Sequence, residues 1–211
     1  MKQKFFWFIA VLLFFGSVST ELFGQSASIR TRQLGEALIS GDVTLTARGN
    51  GVSSGNAVLG TLRNNTPNRI RINVILTGGL YLSNSGSGQN MIAIKIVLSN
   101  GKYYTESGSS GKFIELSPNA DTQIRFSAYC ADFERENPSA AETFSSISMP
   151  SGLQSISSKI SRYEADHPGE NLVVPIQLAL WREQGWNLKS ITEKFDFTNA
   201  DWAIATRILN Y

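Results

Sequence analysis

Between Asp42 and Tyr129 the chain alternates apolar and polar residues with a period of two, in short runs divided by Gly, Asn, Ser and Pro, and no stretch of helical spacing interrupts them. In Arg69-Ile70-Arg71-Ile72-Asn73-Val74-Ile75-Leu76, the side chains of Ile70, Ile72 and Val74 fall on one face, and Ile92, Ile94, Ile96 and Leu98 repeat the pattern. Such alternation sets one face of a strand against a core and the other toward water. Strands are predicted over residues 43–47, 57–63, 69–76, 79–82, 91–98, 102–105, 112–116 and 122–128. Asn64-Asn65-Thr66-Pro67-Asn68 and Asn100-Gly101 supply residues that tolerate the positive φ of tight turns. Short strands with no helices between them favour an antiparallel sandwich and disfavour a doubly wound parallel sheet.

Beyond Cys130 the period lengthens. Leu153, Ile156, Ile160 and Tyr163 stand three and four apart and predict a helix with one buried face. Further helices are expected over 172–184, with Pro175 in the first turn, over 187–195, and over 202–209 behind a capping-box start at Thr198-Asn199-Ala200-Asp201. The expected class is therefore α+β: an antiparallel β-sandwich over 42–129, followed by a helical C-terminal cap over 130–211, sharing one core. Residues 25–41 form a lead-in whose Leu34, Ala37, Leu38 and Ile39 allow a short helix confined by Gly35 and Gly41.

Residues 1–24 read as an export signal, with Lys2 and Lys4 ahead of an apolar run from Phe5 to Val18 and a more polar exit ending at Gly24. The run is shorter than the ~20 apolar residues that span a bilayer. Cleavage near Gly24 is expected, giving a secreted, periplasmic or cell-surface protein of a bacterial kind. It removes two of 19 basic and one of 17 acidic residues, leaving 17 against 16. With no basic track, nucleic acid is excluded as a partner. No lipobox cysteine lies near the cut, so attachment to a surface is expected to run through an anchored partner protein.

The chain has one cysteine, Cys130, and one histidine, His167, too few for a zinc site of thiolate and imidazole ligands, and its acidic residues form no calcium loop. No metal or cofactor is expected. Asp132, Glu134 and Glu136 alternate as on a solvated face. The glycine-rich stretches Gly49-Asn50-Gly51 and Ser83 to Gly88 precede strands and read as hairpin loops, since a phosphate loop needs a helix behind it. No protease signature surrounds Cys130, and a Cys130–His167 nucleophilic pair is left to tertiary proximity alone.

Two motifs remain, Tyr129-Cys130 at a strand end and Ile176-Gln177-Leu178-Ala179-Leu180-Trp181 at a helix start. Together they resemble the thioester domains of bacterial surface adhesins, with Leu180 where that family has Ile, and Asn137-Pro138 standing where a proline follows the family's cysteine. The chain is also similar to secreted bacterial β-sandwich proteins of unassigned function that share both elements. The resemblance implies an adhesion or binding module joined to a surface amine or protein ligand through a Cys130–Gln177 thioester, with Tyr129 and Trp181 shielding the bond. Such a protein reacts once and is no enzyme. The alternatives are a noncovalent β-sandwich ligand-binding or structural protein whose Cys130 is inert and buried, and a secreted hydrolase.

Overall fold

The computed structural model describes residues 29, 31–98, 104–105 and 112–211; the export signal and the Asn100-Gly101 turn lie outside them. In chain order the elements are β1 (Thr31–Arg32), α1 (Leu34–Ile39), β2 (Val43–Gly49), β3 (Ser54–Asn64), β4 (Ile70–Asn73), β5 (Ile75–Asn84), β6 (Met91–Val97), β7 (Tyr104–Thr105), β8 (Lys112–Leu116), β9 (Asp121–Cys130) and β10 (Thr143–Ile147), followed by α2 (Ser151–Asp166), α3 (Val173–Glu183), α4 (Leu188–Thr192) and α5 (Asn199–Leu209).

The expected sandwich with a helical cap is corrected by the strand pairing. Six strands close into an antiparallel barrel in the order β10-β2-β3-β9-β6-β5, and a small second sheet runs β1-β4-β8-β7. The closing strand is β10, which pairs with β2 through Phe144↔Ala47 and with β5 through Ile147↔Tyr81. It escapes a periodicity reading because only Phe144 of Thr-Phe-Ser-Ser-Ile is buried. Closure satisfies the edges that an open sandwich would leave unpaired.

The predicted strand 69–76 is in fact two. It breaks at Val74, whose N–H bonds to the Lys112 carbonyl beside the small sheet while its own carbonyl accepts from Ile96 of the barrel. The alternation continues through the break because both sheets bury the same face, with Ile70, Ile72 and Val74 all in the core.

α2 lies along the barrel wall, whereas α3 meets two strands at their ends, Gln177 at Cys130 of β9 and Val173 beside Gly55 of β3. α2 packs on β5 and β6, and α3 on β3, β9 and α5. The three-and-four spacing of Leu153, Ile156, Ile160 and Tyr163 buries one face of α2, and the Ser161 hydroxyl pins that face to β5 by donating to the Leu76 carbonyl at 2.9 Å. α3 is enclosed from Pro175 through Trp181, with Gln177 its one buried polar residue. α5 starts at a reciprocal capping box between Thr198 and Asp201 and buries Ala205 and Ile208. α1 buries Leu34 and Ala37 and leaves Ile39 exposed.

Candidate functional site

β9 runs between β3 and β6, and its last residue, Cys130, registers against Met91. The cysteine is fully buried. Gln177 reaches it from α3 in a two-point clamp: the Cys130 N–H donates to Gln177 Oε1 at 2.8 Å, and Gln177 Nε2 donates to the Cys130 carbonyl at 3.0 Å. The side-chain amide thus behaves as a neighbouring strand's peptide would. The Cys130 N–H is shared with the Ser53 carbonyl at 3.1 Å. The sequence motifs therefore do meet in space, and they meet at the cysteine's main chain.

The sulfur faces elsewhere. The Cys130 thiol lies 3.2 Å from the Ser53 carbonyl and is hydrogen-bonded to Oε1 of Gln89. Gln89 is nearly as buried as the cysteine, and each of its polar groups is fixed. Its side-chain nitrogen donates to the Arg135 carbonyl at 2.6 Å and its main-chain N–H to the Glu136 carbonyl at 2.9 Å. With the nitrogen committed to a carbonyl, the amide oxygen is directed at the thiol.

The segment after Cys130 holds this loop in place. Asp132 Oδ2 accepts from the main-chain and side-chain nitrogens of Asn90 at 2.9 and 2.7 Å, so Asp132 is a structural acceptor and not part of a solvated face. Glu142 accepts from the N–H groups of Gly88 at 2.9 Å and Ser139 at 2.7 Å. Those two N–H groups, Gly88 first, hold its carboxyl below the usual carboxylate range. A Cβ at Gly88 would meet the Glu142 carboxylate at 2.6 Å, so a side chain there would displace the carboxylate from its N–H partners.

Burial, and next the charge of Asp132, push the Cys130 thiol well above its ordinary range. The buried group is a neutral S–H, not a resting thiolate. Tyr129 does not cover it: successive strand residues point to opposite faces, and the Tyr129 hydroxyl sits 3.1 Å from Ser127. Trp181 stands one helical turn beyond Gln177 and packs edge-on against Phe133 (ring centroids 4.9 Å) and Phe195 (5.0 Å), with Phe133 in turn 4.3 Å from Trp186. Its contacts hold the chain that leaves Cys130. The Trp181 indole N–H is buried with no hydrogen-bond partner among the described residues. His167 stacks on Tyr163 at 3.9 Å and bonds to the Tyr163 carbonyl, taking its place in the α2 packing.

Gln89, Ser53 and the Arg135 carbonyl were not legible as site groups. Gln89 follows a glycine-rich hairpin and carries no periodic signal, and main-chain carbonyls carry none in any sequence. No protein family matches this chain, and no curated protein or solved structure matches it either.

Proposed function

We propose that the protein is an exported covalent binding module, single-use in adhesion, in which Cys130 and Gln89 form an internal thioester and Gln177 positions the cysteine. The thiol sulfur attacks the Gln89 carboxamide carbon, the C–N bond breaks, and the thiol proton leaves with the nitrogen as ammonia. The reaction balances without a co-reactant. An amine on a surface or protein ligand then attacks the thioester carbonyl, forming an amide to the Gln89 side chain and returning the proton to Cys130. This is the chemistry expected of the Cys130–Gln177 motifs, with the acyl role moved to the amide the sulfur meets.

The observation that carries the reading is the contact of the protein's one thiol with a buried, fully oriented carboxamide. The S–H to Oε1 hydrogen bond polarises the carbonyl under attack, and the dry surroundings protect the product from water. The Arg135 carbonyl holds the nitrogen that departs.

Intact mass is the test. The mature protein is expected about 17 Da below its sequence mass, the loss of one ammonia. Gln89→Ala and Cys130→Ala should each restore full mass, and peptide mapping should place the link between residues 89 and 130. A link between 130 and 177 would return the acyl role to Gln177. The competing reading is a noncovalent β-barrel binding protein, supported by how strongly burial disfavours the thiolate; it requires full mass and a thiol titratable on unfolding.

A further inference from the structure

Among the described residues, the arginines on and beside the strands are ion-paired, with two exceptions. Arg32 pairs with Asp42, Arg63 with Asp121 at 3.1 Å, and Arg69 and Arg71 with Glu115 at 3.1 and 3.0 Å. Arg48 on β2 and Arg125 on β9 have no carboxylate partner among the described residues. The register sets these two in one cross-strand row, Arg48↔Leu59↔Arg125, beside a second row, Thr46↔Thr61↔Gln123. Both rows line the outer face of the barrel wall, where they border a cavity of about 390 Å³ completed by Thr143 of β10. That volume falls within the range of small-molecule clefts, roughly 300–1,000 Å³.

Two strand spacings separate the arginine Cα atoms, about 10 Å, so their long side chains can converge over Leu59. The second row adds neutral polar groups: Gln123 Nε2 donates to the Thr61 hydroxyl at 2.8 Å, which leaves that hydroxyl's own proton for a ligand, alongside Thr46.

We propose that this groove binds an oxyanion-bearing ligand, a carboxylate or a phosphate, between the Arg48 and Arg125 guanidiniums. Guanidinium forks match both oxyanions in geometry. Arg125 and Cys130 stand five residues apart on β9, about 17 Å along the strand, so the groove is separate from the thiol and holds a ligand whether or not a thioester forms.

The test is calorimetric titration of the mature protein with inorganic phosphate and with citrate, at ionic strength matched by chloride. Saturable binding of either anion is expected, weakening with added salt. In Arg48→Gln/Arg125→Gln the affinity should fall at least about tenfold, since both charge-assisted contacts to the anion are lost, while the circular dichroism and unfolding midpoint stay put. In the wild type, backbone amide shifts should cluster at residues 59–61 and 123–125. Phosphate binding tighter than citrate assigns a phosphate ligand, and the reverse assigns a carboxylate. No binding beyond that of chloride, affinity unchanged in the double variant, or shifts spread away from these strands would overturn the proposal.

Discussion

The clamp between Gln177 and Cys130 can be broken by one substitution with a readable energy. In Gln177→Ala both side-chain hydrogen bonds to the cysteine main chain disappear. The Cys130 N–H retains Ser53, while the Cys130 carbonyl loses the donor that α3 supplied. Two such bonds contribute ~1 kcal/mol each, and truncating a fully buried side chain leaves space that α3 does not refill, so a destabilisation of about 2–4 kcal/mol is expected. For a chain of this size that is a fall of roughly 5–15 °C in the unfolding midpoint.

Gln177→Glu separates the hydrogen bonds from the volume. A carboxylate can accept from the Cys130 N–H but would set a negative charge against the Cys130 carbonyl, at a fully buried position. Burial and that carbonyl both raise the folded-state pKa of the new carboxyl above its unfolded value. By linkage its protonated form contributes stability that is complete below the unfolded pKa and is lost as pH rises through the folded pKa. Relative to wild type, Gln177→Glu should therefore be most stable near pH 4 and lose ground toward neutrality, in urea unfolding followed by fluorescence. A loss under about 1 kcal/mol for the alanine variant, or a glutamate variant that tracks wild type across pH, would refute the clamp.

Three further perturbations follow from the same geometry. Phe144→Ala removes the one buried side chain of the strand that closes the barrel and should cost about 3–5 kcal/mol in denaturant unfolding. Glu142→Gln should flatten the acid limb of stability: the wild-type carboxyl has a depressed pKa, so its contribution is present above the unfolded carboxyl value and is lost as pH falls through the folded one, and the variant lacks that step. Gly49→Ala would drive a Cβ into the Ser139 carbonyl oxygen and to 3.0 Å from the Pro138 carbonyl, so the segment that crosses the site must shift, and loss of soluble expression or a sharply lowered midpoint is expected.

What could be read from the sequence was what repeats locally. Ile92, Ile94 and Ile96 announce β6, and Leu153, Ile156 and Ile160 announce α2, because each pattern reports burial on a single element. Barrel closure is a relation among strands distant in the chain, and Thr143–Ile147 takes part mainly through main-chain bonds that leave no mark on side-chain hydropathy. The split at Val74 was hidden for a related reason: both sheets bury the same face, so the period never changes. Asp132 looked solvated because its partner, Asn90, stands 42 residues away.

The same distinction explains why the motif pair pointed to Cys130 and to the amide that meets its main chain, while the amide that meets its sulfur carried no signal. A glutamine enclosed in the otherwise apolar stretch Pro175–Trp181 must find polar partners, and the end of β9 offers a main-chain N–H and carbonyl at the spacing of one carboxamide. Gln177 is thus fully used: its oxygen and nitrogen are both engaged in holding the strand end. An amide so committed would have to give up both bonds to move its carbon onto the sulfur. Gln89 differs in that its oxygen meets the S–H itself, while its nitrogen is held by the Arg135 carbonyl. One amide holds the cysteine's main chain, and the other meets its sulfur. Preserving the first while deleting the second, in Gln89→Ala, should therefore abolish any ammonia loss, whereas Gln177→Ala should leave it in place; a mass deficit retained in Gln89→Ala and lost in Gln177→Ala would reverse the two roles.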